Sequence, residues 1–416
     1  MTDSRVEADP HKSMRGNFLA PVYLWVAGLK GWRVFALCFG LGAIANLAFP
    51  PAYIWPAFAV ALTGLVWSLD AARLAAKPKW SAFWRVFAFG FGYYLIGMHW
   101  IAWAFLVEPD AYLVFIWMPL VALPGGLSLV LAGVVSVGFR FWCAGPARLI
   151  VFAVSFMFGE WLRGSLFGIG GFPWNLPGMI WAPGEAISQS ASIWGIYGLS
   201  ALTVIAMASP ATLADARARG TTGSRAAPVI VAAIVFGAIW GWGARRLGEI
   251  PDTPPSGQVI RLVEAGVPQN MKHKPGVAEQ VVLRFLALSG PDTPSSPSVL
   301  VWPEGALPYY LFEWPEALDV VTSKIGTRKL IIGMPRREKV GTPDEKAFNS
   351  LAVIDRNSAL RGPLDIYDKH MLVPFGEFMP FAGVLKTILA LKHHEIPPHL
   401  NFKKPNHHIP WDRLAI

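Results

Sequence analysis

Seven long apolar segments, separated by short polar stretches, fill the first 246 residues of the chain. Several are shorter than the roughly 20 apolar residues that a helix needs to cross a bilayer, so their ends are defined only to within several residues. The pattern predicts a polar N-terminus at residues 1–33 and a membrane α-helical bundle of about seven spans over residues 34–246. The predicted spans are Val34–Phe49, Trp55–Leu69, Val86–Phe105, Leu113–Val137, Leu149–Phe167, Ile193–Ala211 and Val229–Trp242.

The pattern changes after Arg246, where short apolar runs alternate with amphipathic stretches. Pro251, Pro254 and Pro255 predict a linker at this boundary. Alternating strands and helices, followed by two more strands, indicate a layered α/β domain over residues 257–381. The predicted strands are Gln258–Glu264, Ser298–Pro303, Lys329–Met334, Phe348–Asp355 and Ala359–Tyr367, and the predicted helices are Val277–Leu288 and Pro315–Ile325.

Composition agrees with an integral membrane protein. The 416 residues are 54% hydrophobic and have a mean hydropathy of +0.42, whereas a soluble domain is about 45–50% apolar. The net charge of +9 and the pI near 9.6 would also suit a nucleic-acid partner. The basic residues, however, lie between the apolar segments, where they set membrane topology, so we expect no nucleic-acid partner.

Basic residues alternate between rich and poor connecting segments along the predicted bundle. The loop after the third span holds Glu108 and Asp110 and no Lys or Arg. Because cytoplasmic connections carry the excess of positive charge, the N-terminus is predicted in the cytoplasm and everything after Trp242 outside. A further helix at Phe18–Leu29 would break the alternation unless it lay on the membrane surface. The basic residues are Arg5, Lys12, Arg15, Lys30 and Arg33, then Arg73, Lys77, Lys79 and Arg85, then Arg140 and Arg148, and finally Arg217, Arg219 and Arg225.

Three charged residues of the α/β region are the catalytic candidates. Glu304 ends the apolar run that starts at Val299, and such a run is how an α/β sheet presents a reactive carboxylate at its edge. Lys369 and Glu377 lie eight residues apart on either side of another apolar run. A lysine between two glutamates forms either a structural ion-pair network or a cation that stabilises an oxyanion beside a general base. From these residues alone, the structural interpretation is favoured.

Polar residues within the predicted bundle also have two interpretations. Glu160 and Arg163, near the end of the fifth span, form either an interfacial pair whose heads extend to water or, with the aromatic loop Gly170–Leu176, an entrance for lipid. The interfacial pair is favoured. His99 is predicted to be an interfacial histidine with satisfied hydrogen bonds, and the small residues of Gln189–Ser200 are predicted to pack helices together.

The remaining reactive side chains indicate no disulfide, metal or cofactor. Cys38 and Cys143 lie in or beside apolar segments, so they are predicted to be small core residues. His273, His370 and the later histidines have no metal-ligand spacing.

Several motifs together resemble the apolipoprotein N-acyltransferases, a bacterial inner-membrane family, over residues 34 to 381. The resemblance implies a bundle of spans that carries a nitrilase-like (carbon–nitrogen hydrolase) domain in the periplasm. The charge count independently predicts the same side for this domain. The motifs are Glu160-Trp161-Leu162-Arg163, Phe172-Pro173-Trp174, Val301-Trp302-Pro303-Glu304, Phe348-Asn349-Ser350 and Asp368-Lys369-His370 followed by Leu372-Val373-Pro374-Phe375-Gly376-Glu377.

The resemblance also implies a reaction. The family transfers an acyl chain from a phospholipid to the N-terminal S-diacylglyceryl cysteine of an apolipoprotein, through a Glu-Lys-Cys triad and an acyl-thioester. Glu304 matches the general base that ionises the thiol. Lys369 matches the cation that stabilises the oxyanion, and Glu377 matches an acid that holds this lysine. The expected partners are therefore a phospholipid acyl donor, an apolipoprotein acceptor and the membrane, with no metal and no cofactor.

The chain departs from the family after Phe381. The family's nucleophile is expected about fifty residues after Lys369, but no cysteine follows that lysine. Residues 383–416 instead resemble a late part of a β-ketoacyl synthase, so they are expected to be a foreign tail on an incomplete nitrilase-like domain with an open sheet edge and an exposed apolar face. The expectation is an inactive acyltransferase, with a catalytically dead lipid- or lipoprotein-binding membrane protein as the alternative. A transporter would need buried charges or broken helices in the spans, and a membrane-tethered amidase would need the same cysteine.

Overall fold

The computed structural model describes residues 17–106, 113–165, 171–215, 225–249, 257, 259–268, 276–342, 345–370 and 372. The chain divides into two compact units, Met1–Pro251 and Asp252–Ile416, which are described one at a time. The region from 383 to 416, expected to be a foreign tail, lies outside the described residues.

The first unit is helical. Among the described residues, each of the seven predicted apolar segments contains a helix, and a further helix, the nine-residue α1, is too short to span a membrane. The helices are α1 (Ala20–Gly28), α2 (Trp32–Ala45), α3 (Trp55–Ala72), α4 (Pro78–Met98), α5 (Leu123–Gly138), α6 (Ala147–Ser165), α7 (Ala191–Ala208) and α8 (Ala227–Gly248).

Five helical stretches in the described part of the chain are long and apolar enough to cross a membrane. The other two predicted spans differ for separate reasons. The apolar stretch Trp32–Ala48 is shorter, and α6 carries Arg148, Glu160 and Arg163. The five stretches are Trp55–Ala72, Pro78–Leu106, Met118–Phe141, Ile187–Ala214 and Ala227–Gly248.

Glycines bring α2 and α4 into close contact. A Cβ on Gly42 would lie 1.9 Å from the carbonyl oxygen of Phe89, and one on Gly92 would lie 2.2 Å from that of Phe39. Small residues let helix backbones approach in this way where lipid offers no hydrophobic driving force. Buried aromatic and aliphatic side chains then fill one core inside the bundle, among them Phe58, Leu62, Phe89, Phe152 and Phe156.

In the described part of the second unit, five strands form a mixed sheet in the order β1-β2-β3-β4-β5. Strands β1, β2 and β3 pair in parallel, whereas β3, β4 and β5 pair antiparallel. The strands are β1 (Ile260–Leu262), β2 (Val299–Trp302), β3 (Lys329–Glu338), β4 (Lys346–Ile354) and β5 (Asp365–Asp368), and the helices are α9 (Ala278–Ser289), α10 (Pro315–Ile325) and the short α11 (Ser358–Arg361).

The two faces of this sheet differ. Helices α9 and α10 pack on side chains such as Leu300, Trp302 and Ile332 to form the core. The other face exposes apolar side chains, including 78% of Leu262 and 40% of Leu351. Such a face is typical of a surface that packs against further structure.

One predicted strand is wrong over its first half. The segment Ala359–Tyr367 begins in α11, and only its end joins β5. Asp355 explains the difference, because its Oδ1 accepts the amide of Asn357 at 2.9 Å and the hydroxyl of Ser358 at 3.1 Å. This turn starts a helix instead of continuing an extended chain.

Candidate active site

Glu304 lies on the turn that follows β2. The amide of Ala306 donates to the carbonyl of Pro303 at 3.0 Å and closes the turn. The backbone of the turn rests directly on β3, since a Cβ on Gly333 would lie 2.6 Å from the Cα of Glu304. Only glycine permits this close approach of two backbones. The Glu304 side chain is 65% exposed at the carboxyl end of β2.

Lys369 reaches the same place from the end of β5. Its amide donates to the carbonyl of Asn349 at 2.8 Å, one residue beyond the Ser350–Asp368 pair of the β4–β5 ladder. Its Nζ lies 3.0 Å from Oε1 of Glu304. The structure therefore brings together two candidates that are 65 residues apart in the chain. The third candidate, Glu377, lies outside the described residues.

Asn349 joins the two candidates and received no role from the sequence. Its Nδ2 donates to Oε1 of Glu304 at 2.7 Å, while its carbonyl accepts the amide of Lys369. One residue of β4 thus fixes the carboxylate through its side chain and the lysine through its backbone. The available sequence signal was the motif Phe348-Asn349-Ser350, which contributed to the family resemblance but assigned no role to the amide.

Asp368 anchors the residue before the lysine. Its carboxylate accepts Nη2 of Arg336 at 2.7 Å and Oγ of Ser350 at 2.6 Å. The Arg336 guanidinium lies over the Phe348 ring, 4.5 Å from its centre, in a cation–π contact. Burial raises the pKa of Asp368, but the hydrogen bonds from Arg336 and Ser350 outweigh it, so the pKa lies below its ordinary value.

The exposure of the Glu304–Lys369 pair argues against a purely structural role. An exposed ion pair contributes only about 0.2–1 kcal/mol to stability. A carboxylate held beside an ammonium group can instead accept a proton while the cation stabilises nearby negative charge. Among the described residues, no group of three or more His, Cys, Asp or Glu side chains is placed to hold a metal ion.

Both cysteines of the chain belong to the helical unit. Cys38 is fully buried, and its Sγ lies 3.4 Å from Oγ of Ser68, as a small core residue would. Cys143 is only half-buried, so its prediction as a core residue holds in part. The described part of the α/β unit contains no thiol.

Glu160 and Arg163 do not form an interfacial pair, so the favoured interpretation of this pair is wrong. Their side chains are 0% and 1% exposed and bind each other inside the bundle. The hydroxyl of Tyr94 donates to Glu160, and Arg163 donates to the carbonyl of Phe172. The position of this pair near the end of a predicted span suggested that the two side chains reach water. Helix α6 instead buries them against other helices, where a charge is retained only with a partner.

The predicted hydrogen bonding of His99 and the predicted packing role of Gln189–Ser200 agree with the structure. The ring Nδ1 of the exposed His99 donates to the carbonyl of Ile96 at 2.7 Å. The hydroxyl of Ser200 accepts the amide of Gly178 at 2.8 Å, where a Cβ on Gly178 would lie 2.9 Å from it. The small residues of this stretch therefore pack helical segments closely.

Comparison with known proteins gives consistent similarities. Residues 41–209 match the family model described as the apolipoprotein N-acyltransferase N-terminal domain. The chain is 32% identical over 377 residues to the apolipoprotein N-acyltransferase of Rhodopseudomonas palustris, which covers 86% of this chain and 67% of that relative. Its identity to the namesake protein of Allorhizobium ampelinum is 34% over 375 residues, 86% of this chain and 68% of the relative. For Caulobacter vibrioides the identity is 34% over 374 residues, 87% of this chain and 67% of the relative.

Proposed function

The chain belongs to the apolipoprotein N-acyltransferase family, and on that premise we propose that its α/β unit carries part of an acyl-transfer site for lipoprotein maturation. The donor is a phospholipid and the acceptor is the N-terminal S-diacylglyceryl cysteine of an apolipoprotein. The observation that carries this proposal is the 3.0 Å contact between Nζ of Lys369 and Oε1 of Glu304. The bundle at 34–246 lies in the bacterial inner membrane, and the domain at 257–381 lies in the periplasm.

Each residue has a distinct role in the proposed reaction. Glu304 takes the proton of a thiol, because a thiol is weakly ionised at neutral pH and reacts as the thiolate. Lys369 stabilises the oxyanion that forms when the thiolate attacks the phospholipid ester. Asn349 holds Glu304 in place, and Glu377 holds Lys369 charged.

These 416 residues supply no thiol within the α/β unit. The only cysteines are Cys38 and Cys143, and neither lies in the α/β unit. We therefore expect this chain to form no acyl-thioester and to be inactive as an acyltransferase. The alternative function, binding of lipid or lipoprotein without turnover, is favoured by the same observation.

A chimaera tests the proposed roles directly. Residues 1–372 of this chain can be joined to the part of the Rhodopseudomonas palustris relative that follows its equivalent of residue 372. The chimaera should transfer labelled acyl chains from phospholipid to a diacylglyceryl-cysteine peptide. The chain itself should give neither product nor a hydroxylamine-labile adduct.

Substitutions in the chimaera separate the roles. Glu304→Gln should lower the rate about 10²–10⁴-fold, and Lys369→Met should lower it about 10²–10³-fold. Asn349→Ala should cost up to about 100-fold through misplacement of Glu304. Lys324→Met, on α10, is the matched control and should keep full activity. A chimaera that stays active without Glu304 or Lys369 would contradict the assignment, and acyl transfer by the unmodified chain would contradict its inactivity.

A lipid-retention assay distinguishes the alternative. If the chain binds diacylglyceryl-cysteine peptide tightly but neither it nor the chimaera turns the peptide over, binding without catalysis is the better description. Glu304→Gln would then leave binding unchanged, because an exposed carboxylate contributes little to the burial of an acyl chain.

A further inference from the structure

An apolar groove of about 350 Å³ runs between α6, α7 and α8 of the helical unit. It is lined by Leu149 and Ile150 of α6, Ile205 and Ala206 of α7, and Val231 and Ala232 of α8. The volume is near the lower end of the roughly 300–1,000 Å³ typical of ligand pockets, so it suits one hydrocarbon chain and not a whole lipid.

Water is a poor occupant of this groove. Ser209 is the one lining residue with a polar side chain, and its hydroxyl already donates to the carbonyl of Ala206 at 2.7 Å. A water molecule needs two to four polar partners to be held in a protein cavity. The most hydrophobic stretch of α8 is only 11% buried, so hydrocarbon is the medium next to the groove.

A cation, Arg225, lies just before α8, whose first residues Ala227 and Pro228 line the groove. The hydroxyl of Thr212 contacts the carbonyl of Arg225 at 2.8 Å and that of the lining residue Ser209 at 2.9 Å, so the Arg225 backbone lies close to the groove. The Nε atom of Arg225 is buried without a hydrogen-bond partner, and no ion pair joins its half-buried guanidinium to a carboxylate among the described residues.

The neighbouring arginine is already neutralised. Arg148 lies 2.6 Å from Asp215 and 3.3 Å from Asp70. It therefore offers no positive charge to a ligand, whereas Arg225 does. A hydrocarbon groove with one uncompensated cation beside it matches a lipid with an anionic headgroup.

We propose that this groove holds one acyl chain of an anionic phospholipid whose phosphate pairs with Arg225. The charge count predicts Arg225 on the cytoplasmic side, so this lipid occupies the leaflet opposite the proposed acyl-transfer site and is not its substrate. The bound acyl chain fills the groove between α6, α7 and α8, and the bound lipid thereby stabilises the bundle.

Native mass spectrometry of the purified chain, supplied with phosphatidylglycerol or phosphatidylcholine, tests the proposal. The chain should retain phosphatidylglycerol about fivefold better, the discrimination that one arginine near a membrane surface supports. Arg225→Gln should abolish this preference. Arg140→Gln, which removes an exposed arginine from another predicted cytoplasmic segment, should keep it.

A second pair of variants tests the groove itself. Ala232→Phe fills the groove and should reduce retention of both lipids, whereas Ala233→Phe adds the same bulk to the adjacent exposed position and should not. If Ala232→Phe does not fold, Ala206→Leu takes its place. Equal retention by the groove-filling variant and Ala233→Phe, a preference that survives Arg225→Gln, or no preference in the unmodified chain would each overturn the proposal. None of these measurements depends on acyl transfer.

Discussion

Gly333 sets the distance between β3 and the turn that carries Glu304. Because a Cβ at this position would lie 2.6 Å from the carbonyl oxygen of Pro303, Gly333→Ala must push the turn away from the sheet. We expect a loss of about 1–3 kcal/mol, the usual cost of overpacking. Hydrogen exchange of the β2 and β3 amides measures this loss of stability, and we expect faster exchange in Gly333→Ala.

The matched control is Gly257→Ala, where an added Cβ meets nothing within 4 Å. This variant should exchange like the unmodified chain. Equal exchange in Gly333→Ala and Gly257→Ala would mean that the turn does not rest on β3 as described.

Asp368 makes the stability of the β4–β5 pairing depend on pH. Its pKa in the folded chain lies below the ordinary value, so its ionised form is the one that folding favours. This contribution is complete above the unfolded-state pKa of about 3.9 and is lost as the pH falls through the lower folded-state pKa. Asp368→Asn should therefore be destabilising at pH 7, and its difference from the unmodified chain should shrink as the pH falls below about 4.

Thermal unfolding between pH 3 and pH 7 measures this difference. Glu338→Gln is the control, because Glu338 also pairs with Arg336 but its side chain is 50% exposed. Its effect should be small at every pH. A gap between Asp368→Asn and the unmodified chain that stays constant with pH would contradict the proposed contribution of the Asp368 carboxylate.

Sequence predicted two of the three described members of the candidate site. Glu304 and Lys369 stand out as charged residues beside apolar runs, but their catalytic roles follow from the family resemblance, because the residues alone favour a structural ion pair. Asn349 could not, because a single amide within a strand has many possible hydrogen-bond partners and its role depends on the β4–β5 register.

At the scale of the element, α6 shows why a buried charge must be paired. Arg163 neutralises Glu160 and also holds the carbonyl of Phe172, which ties the loop after α6 to the bundle. Arg163→Met would leave Glu160 buried without its cation, at a cost of about 3–5 kcal/mol. The apparent melting temperature in detergent should fall accordingly.

The double variant Glu160→Gln with Arg163→Met separates charge from packing. It removes both charges, so it should recover part of the lost stability, since replacing a whole buried pair is far less costly than breaking it. A double variant no more stable than Arg163→Met would show that the hydrogen bond to Phe172, and not the uncompensated charge, sets the cost.

Local sequence signals explain which elements were predicted well. Helix α10 runs over the predicted residues because Pro315 starts it and Gly326, at φ +65°, ends it. The predicted strand at Ala359–Tyr367 failed because the side chain of Asp355 starts a turn that apolar patterning does not register.

At the scale of the whole molecule, the bilayer makes the helices predictable, because it demands long apolar segments wherever the chain crosses it. The same demand does not set the number of crossings. Five stretches satisfy it in the described residues, whereas α2 is short and α6 carries three charged residues. Helix α6 can keep those charges because its three charged side chains are buried against other helices and paired, although its opposite face is exposed.

The predicted sidedness gives the final test. In a background with Cys38→Ser and Cys143→Ser, Ser295→Cys places a thiol on an exposed loop of the α/β unit, and Lys77→Cys places one on the predicted cytoplasmic loop after α3. A membrane-impermeant maleimide applied to intact spheroplasts should label the first thiol and not the second. Permeabilisation should make both react, because both positions are exposed. Labelling of Lys77→Cys alone in intact cells would place Glu304 and Lys369 in the cytoplasm, away from lipoproteins that mature outside, and would end the proposed function.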